Sequence, residues 1–422
     1  MWVFLAALGA SVSLLAGTAA GAGAQPTPPA LAGLQRSLTQ SMTQEGAFSG
    51  AEVVDMTTGQ TLYAQNPATP RLPASVQKLY TTSTALLQLG PTATFTTSIL
   101  GSGARDPEGV WHGALYLRGG GDPTLGSAGF DQAWYGGTGT TLRRLIQSLL
   151  TASGITAVQG RIVGDGSFLD GAHGTPATGY QRSSDVEGQL SGLIYDRGFT
   201  SSQATAFQNR PVLFAAQQLA GGLRAWGVKL GPRFPVSAGP TPAGAQLLAS
   251  VSSPPIGTLI ALANTPSDNY MAEMLLKDIG ARLGGAGTTA AGAAVVRSEL
   301  LSRFGIAPRL NDGSGLSRYD ATSPQDVVTL LQAMATNSTF VNSLALAGET
   351  GTLQHEMQGT IAQGNCRGKT GTLTDVADLV GYCHARDGHQ LAFAFLANGL
   401  GNPDLGHAIE ANMAVALANY NG

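Results

Sequence analysis

The spacing of apolar residues along the chain predicts a mixture of helices and strands. Between Val76 and Leu87, apolar residues recur at intervals that place them on one face of a helix over residues 75–89. Two shorter runs before it, at 49–55 and 60–65, have the pattern of strands joined by a turn. Residues 25–48 precede them as a linker and a first helix.

The pattern changes after about residue 92, where short strand-like pieces alternate with glycine-rich turns up to about residue 250. After residue 255 it becomes helical again. The chain ends in three strand-like runs and a helix, which are 366–373, 379–386, 391–396 and 405–418. Strands at both ends predict one sheet built from both ends of the chain, packed against helices, in an α+β fold. The middle part is then an insertion with its own small core.

The N-terminus has the composition of a signal peptide. Residues 2–24 carry no charge and end in Ala22-Gly23-Ala24, which fits a cleavage site before Gln25. No Lys or Arg precedes the apolar run, so an uncleaved anchor remains an alternative. The prediction is an exported protein, in the periplasm or at the outer face of the membrane or cell wall.

Composition excludes several classes of protein. Charged residues make up 12% of the 422 residues and the net charge is −3, which argues against disorder and against nucleic-acid binding. The chain has four lysines, Lys78, Lys229, Lys277 and Lys369. We expect Lys229 and Lys277 to be solvated residues at helix ends, which leaves Lys78 and Lys369 to be explained by chemistry.

Three short motifs supply that chemistry, and each occurs once. They are S-x-x-K at 75–78, S-D-N at 267–269 and K-T-G at 369–371. Together and in this order they form a known catalytic set in which serine is the nucleophile.

The first two motifs provide the reacting groups. Ser75 at a helix N-terminus can attack a carbonyl and use its own N–H in an oxyanion hole. Lys78, on the same face of the helix, can take the serine proton if burial and the charge of Lys369 lower its pKa. Ser267 can relay a proton to a leaving amine, and Asn269 can hold the substrate amide and orient Lys78.

The third motif provides a binding strand. Thr370 and Thr372 can hold a substrate carboxylate beside Lys369, and the N–H of Thr372 can complete the oxyanion hole. Gly371 lets an extended substrate approach the strand closely.

The remaining reactive residues predict no metal site or cofactor. The six histidines show no metal-ligand spacing. Cys366 and Cys383 face each other in a predicted hairpin, which favours a disulfide over two buried thiols. Asp122, Asp312 and Ser314 are interpreted as turn residues, although the last two could also line the cleft.

Longer runs surround the motifs, among them PASVQKLYTTSTALLQLG at 73–90, SDNYMAEMLL at 267–276, DGSGLSR at 312–318 and KTGTL at 369–373. On these runs the chain resembles the penicillin-binding proteins of the D-alanyl-D-alanine carboxypeptidase/endopeptidase family (low-molecular-mass class C type). Asp378 departs from this pattern, since a less polar residue is expected there.

The resemblance implies a serine β-lactamase/DD-peptidase-like fold. We expect a catalytic domain from 25–91 and 251–422, with one or more smaller β-rich accessory domains inserted at 92–250. It also implies cleavage of D-Ala-D-Ala termini and D-Ala cross-links of peptidoglycan stem peptides through an acyl-enzyme on Ser75. β-Lactams would acylate the same serine.

Two other functions remain open at this point, a serine β-lactamase and a catalytically weak penicillin sensor. The long interval between Ser75 and Ser267 and the lack of an E-x-x-x-N stretch disfavour a class A β-lactamase. The sequence leaves open the balance of carboxypeptidase and endopeptidase activity, loose membrane association and a homodimer.

Overall fold

The structure is a computed structural model that describes residues 28–201 and 203–422. The predicted signal segment, 1–24, lies outside the described residues. Within the described ranges, no helix is long and apolar enough to cross a membrane.

The strands of the described chain form two sheets. In chain order they are β1 (Ser49–Asp55), β2 (Thr61–Gln65), β3 (Thr96–Arg105), β4 (Val110–Arg118), β5 (Ala157–Asp165), β6 (Lys229–Leu230), β7 (Val236–Ala238), β8 (Gln246–Ser252), β9 (Ala345–Leu346), β10 (Cys366–Leu373), β11 (Val376–His384) and β12 (Gln390–Asn398).

Helices pack against both sheets. The α-helices are α1 (Pro29–Glu45), α2 (Lys78–Leu89), α3 (Ala128–Tyr135), α4 (Leu142–Ser153), α5 (Pro211–Ala225), α6 (Ile256–Asn264), α7 (Asn269–Leu283), α8 (Thr289–Phe304), α9 (Pro324–Met334), α10 (Ser338–Ser343) and α11 (Pro403–Ala418). Short 3-10 helices occur at Ala74–Gln77, Pro176–Thr178, Ser184–Val186, Asp196–Gly198 and Gly351–Leu353.

The first sheet joins both ends of the chain, as the sequence predicts. Its order is β2-β1-β12-β11-β10-β9 and its neighbouring strands run antiparallel. Phe393 and Phe395 of β12 pack towards the cluster that includes α1 and α11, while Ala394 and Leu396 pack towards the other helices. Because both faces are covered, β11 and β12 are apolar at nearly every position.

The second sheet is built from the middle of the chain. Its main path is β6-β5-β4-β3-β8, and β4 and β5 pair in parallel. Helices α4 and α5 supply much of its core, including Leu145, Leu149 and Leu219. The boundaries at residues 92 and 250 stay a prediction.

The elements differ from the prediction where burial is one-sided or turns are short. β3 and α3 are not anticipated, because the second half of β3 is exposed and glycine-rich. The apolar pattern over residues 340–347 predicts a weak helix, but the helix ends at Ser343, since residues 345–346 form β9 and pair with β10. The helix predicted to begin at Ser75 begins instead as a 3-10 turn.

Candidate active site

Ser75 lies in the 3-10 turn that leads into α2, at the edge of the first sheet. The turn is set by Ala74, whose φ of 40° lies in the left-handed region that few residues other than glycine adopt. Gly315 packs directly on this turn, because a Cβ atom built at Gly315 would lie 1.7 Å from the Ala74 carbonyl oxygen. The loop around Gly315 therefore holds the backbone that presents Ser75.

Lys78 joins the first two motifs through its amine. Its Nζ lies 2.7 Å from Ser75 Oγ and 2.6 Å from Asn269 Oδ1, and it donates to the Ser314 carbonyl at 2.9 Å. The side chain is fully buried. The structure thus places the predicted base within proton-transfer distance of the predicted nucleophile.

Ser267 occupies the turn between α6 and α7 in a left-handed conformation, with a φ of 68°. Lys369 Nζ lies 2.8 Å from Ser267 Oγ. The neighbouring Asn269 spans two parts of the chain, since its Oδ1 contacts Lys78 and its Nδ2 donates to the Asp185 carbonyl at 2.7 Å. The S-D-N turn therefore links both predicted lysines.

Strand β10 presents a free edge beside this turn. Its partner β9 pairs only with Arg367 and Gly368. The Cys366 carbonyl accepts from Ala347 N on that side, at 3.0 Å. Alternate residues of a strand direct their backbone groups to the same edge, so the N–H of Thr372 points to the free edge beyond β9. An extended substrate can add there as a further strand.

Position 371 requires a glycine for a packing reason that the sequence does not reveal. A Cβ atom at this position would lie 2.7 Å from the Pro73 carbonyl oxygen and 2.8 Å from an oxygen of Asp378. Glycine is thus required for β10 to approach the nucleophile turn, whatever the substrate needs.

The two buried lysines have lowered pKa values. Burial lowers the pKa of Lys78 to about 8, and nearby carboxylates, of which Asp268 is the strongest, oppose this shift. Burial, together with the positive charge of Lys78, holds the pKa of Lys369 well below its ordinary value. A lysine with a pKa near 8 can act as a base at neutral pH.

The segment 92–250 also reaches the site, which no feature of the sequence predicts. Glu187 Oε2 accepts from Asn269 N at 3.2 Å. Arg197 is buried and forms an ion pair with Asp268, and its guanidinium lies 4.5 Å from the ring centre of Trp134. These contacts hold the S-D-N turn, but no local motif signals them because their partners are distant in sequence.

Four further residues complete the neighbourhood. Ser314 and Asp312, left open as cleft or turn residues, are both buried; Ser314 contacts Lys78 through its carbonyl. Thr352 Oγ1 lies 2.9 Å from Thr370 Oγ1. His407 of α11 contacts Thr372. The run GTL around Thr352 gives a weak sequence signal, and His407 gives none.

The expectation that Lys277 is a solvated helix-end residue is wrong. Lys277 lies in the middle of α7, fully buried, with its Nζ 2.5 Å from Asp170 Oδ1 and 2.7 Å from the Ala172 carbonyl oxygen. Lys229 is exposed, as expected, but it lies in β6 and not at a helix end. Asp122 is buried and accepts from Thr124 N at 2.8 Å, so it closes a turn.

Cys366 and Cys383 form a disulfide across β10 and β11, where the two residues pair directly. It lies at the opposite end of β10 from Thr372. Among residues 28–201 and 203–422, no group of three or more Asp, Glu, His or Cys side chains is arranged to hold a metal ion.

A serine beside a buried lysine, a second serine–lysine pair and a free strand edge form the arrangement that a serine acyl-transfer reaction requires. The model of the D-Ala-D-Ala carboxypeptidase 3 (S13) family matches residues 31–210 and 181–420. The chain belongs to this family.

Two similar proteins are named as carboxypeptidases. The chain is 30% identical to a D-alanyl-D-alanine carboxypeptidase of an Actinomadura species, over 90% of this chain and 82% of the relative. It is 32% identical to carboxypeptidase DacB of Mycolicibacterium smegmatis, over 92% and 85%.

Among solved structures, penicillin binding protein 4 (dacB) of Haemophilus influenzae matches with a TM-score of 0.71 at 22% identity, covering 90% of this chain and 98% of that one. The predicted family, the α+β DD-peptidase-like fold and the class of serine peptidase are confirmed.

Proposed function

We propose that this chain is a serine DD-carboxypeptidase and DD-endopeptidase that cleaves D-Ala-D-Ala termini and D-Ala cross-links of peptidoglycan peptides through Ser75. The observation that carries the proposal is the 2.7 Å contact between Ser75 Oγ and the buried amine of Lys78. Both groups lie beside the free edge of β10, where an extended peptide can bind.

Acylation begins when neutral Lys78 takes the proton of Ser75. The serine oxygen then bonds to the carbonyl carbon of the penultimate D-Ala, and the N–H groups of Ser75 and Thr372 stabilise the resulting oxyanion. The C–N bond breaks as Ser267 passes its proton to the leaving nitrogen and receives in exchange the proton that Lys78 took from Ser75, so that Lys78 is neutral again. The products of this half-reaction are free D-Ala and an ester on Ser75.

In deacylation, water is the nucleophile and the Ser75 oxygen is the leaving group. Water gives one proton to Lys78 and its oxygen attacks the ester carbon, after which the C–O bond to Ser75 breaks and the serine oxygen takes back a proton. The shortened peptide leaves with a new carboxylate. Asn269 holds the Lys78 amine at 2.6 Å in place for both steps.

Substrate selection rests on β10. The proposed anchor for the terminal carboxylate is formed by the hydroxyls of Thr370 and Thr372 beside Lys369. The same anchor suits the carboxylate of a β-lactam, whose strained amide would place its carbonyl carbon at Ser75. In a cross-linked peptide, the leaving nitrogen belongs to a D-amino acid centre in the neighbouring stem peptide. The same steps then give endopeptidase cleavage.

The site of action would be outside the cytoplasm, where peptidoglycan lies. The uncharged segment at 2–24 and the disulfide between Cys366 and Cys383 support export, because disulfides persist in oxidising compartments.

The test is release of D-Ala from an N-acylated pentapeptide that ends in D-Ala-D-Ala. We expect turnover by the parent protein and none by Ser75→Ala, with Ser298→Ala as a control at a serine outside the motifs. Nitrocefin turnover measured in parallel separates a β-lactamase from a peptidase. Rapid nitrocefin hydrolysis without D-Ala release would reject the proposal, and penicillin labelling without D-Ala release would identify a sensor.

A further inference from the structure

Three side chains form a hydrogen-bonded row behind the K-T-G strand. Thr372 Oγ1 lies 2.7 Å from His407 Nε2, and His407 Nδ1 lies 3.1 Å from Glu410 Oε2. All three residues line one cavity of about 150 Å³, together with Thr370. The row therefore connects the proposed carboxylate anchor to the interior of the protein.

Glu410 at the inner end of the row is suited to be a neutral acid. The residue is fully buried, and its Oε1 has no hydrogen-bond partner in the described part of the chain. Two further buried carboxyls, Asp378 and Glu45, lie close enough that a negative charge on Glu410 would raise their pKa values. Burial raises the pKa of Glu410 well above its ordinary value, since an ionised carboxylate there would have no compensating charge.

The neutral acid fixes the tautomer of the histidine. Because Oε1 of Glu410 has no partner among the described residues that could accept a hydrogen and Oε2 faces His407 Nδ1, a protonated Glu410 carries its hydrogen on Oε2 and donates it to Nδ1, which leaves the ring hydrogen on Nε2. Burial lowers the pKa of His407, so the ring is neutral at pH 7 even with Glu356 and Asp404 close to it and Lys369 opposing them. The Nε2–H group then donates to Thr372 Oγ1.

That donation determines the direction of the Thr372 hydroxyl. A hydroxyl has one hydrogen to give and two lone pairs to accept with. Since Nε2–H occupies a lone pair, the hydroxyl hydrogen of Thr372 is free to point into the cleft. In the other tautomer, Thr372 would give its hydrogen to the ring and present only lone pairs to an incoming carboxylate.

We propose that His407, oriented by Glu410, is a positioning residue that makes Thr372 a hydrogen-bond donor to the C-terminal carboxylate of the substrate. The enzyme would thereby select peptides with a free carboxylate at the leaving residue. This inference rests on the proposed function, since it assumes that Thr372 contacts that carboxylate.

The experiment compares two peptides that differ at one group, an acyl-D-Ala-D-Ala acid and the corresponding C-terminal carboxamide. The variants are His407→Phe, which removes the donor, and His407→Gln, whose amide places a donor near the position of Nε2. His384→Phe is the matched control, because His384 is exposed at the end of β11. Cleavage is followed by release of D-Ala or D-Ala amide, giving kcat and KM for each pair.

We expect His407→Phe to lower kcat/KM for the acid by about tenfold to a hundredfold, the cost of one hydrogen bond to a charged group. The loss should lie mainly in KM, and the carboxamide should lose less than the acid, by about twofold to tenfold, because its terminal group carries no charge. His407→Gln should recover part of the loss, and His384→Phe should match the parent.

Two results would overturn the inference: equal losses on acid and carboxamide, which indicate a structural role, or no loss on either. If the parent cleaves the carboxamide too slowly to measure, binding of both peptides to Ser75→Ala gives the same comparison. His407→Phe should then reduce the acid-to-amide affinity ratio by about tenfold. Failure of the parent to cleave either peptide would instead reject the proposed function.

Discussion

The buried amine of Lys78 makes the rate of acylation depend on pH in a way that follows from its environment. With a pKa of about 8, about one molecule in ten holds the neutral amine at pH 7, and about one in a hundred at pH 6. Only the neutral amine can accept the proton of Ser75. The second-order rate of acylation should therefore rise about tenfold per pH unit and level off above about pH 8.

Lys78→Arg is the perturbation that tests this reasoning, because arginine keeps a positive charge at every accessible pH. With a pKa above about 12, the neutral fraction at pH 7 falls by about four powers of ten relative to the parent. We expect acylation at pH 7 to fall by at least about a thousandfold, and the rise with pH to disappear over the measured range.

The assay is the rate of covalent labelling by a fluorescent penicillin between about pH 5 and 10, which reports groups of the free enzyme. Lys229→Arg is the matched control, since Lys229 is exposed. A parent profile that is flat across pH 6–8 would refute the assignment of Lys78 as base. A Lys78→Arg protein that keeps a tenth of the parent rate would do the same.

Three further predictions concern the frame of the site. Gly315→Ala should slow acylation at least about tenfold, because its Cβ meets the turn before the nucleophile, whereas Gly285→Ala has a similar positive φ and open space and should keep the parent rate. Replacing Cys366 and Cys383 by serine should lower the free energy of unfolding by about 2–3 kcal/mol in urea titration, since the bond closes a 17-residue separation; an unchanged midpoint would contradict this. Arg197→Met should reduce acylation by about a hundredfold, because Asp268, whose side chain is only 12% exposed, loses its charge partner, with Arg197→Lys less affected; equal rates in both variants would show that the pair does not hold the S-D-N turn.

The sequence predicts the fold best where burial is regular. The bounds of β1 and β10 match the prediction, because each has a continuous apolar pattern or a chemical motif that marks its ends. β3 is missed since half of it faces solvent and contains glycine. The 3-10 turn at Ser75 is also missed, because it depends on packing against Gly315, which lies far away in the sequence.

The same distinction applies to the site. Ser75 and Lys78 are separated by one turn of backbone, so their contact is predictable from local spacing. The contacts of Glu187, Arg197 and His407 arise only when distant segments meet, and their residue types are common on protein surfaces. Lys277 is wrongly predicted to be exposed, because the local pattern alone indicates a lysine in solvent. Its partner Asp170 belongs to a different segment of the chain, so their contact has no local signal.

The central claim is that peptide and penicillin acylate the same serine. Acid-quenched reactions with the pentapeptide and with penicillin, followed by proteolysis and mass spectrometry, locate the acyl group directly. We predict both adducts on the peptide that contains Ser75, and neither adduct in Ser75→Ala. An adduct on Ser267, or a labelled Ser75→Ala protein, would contradict it.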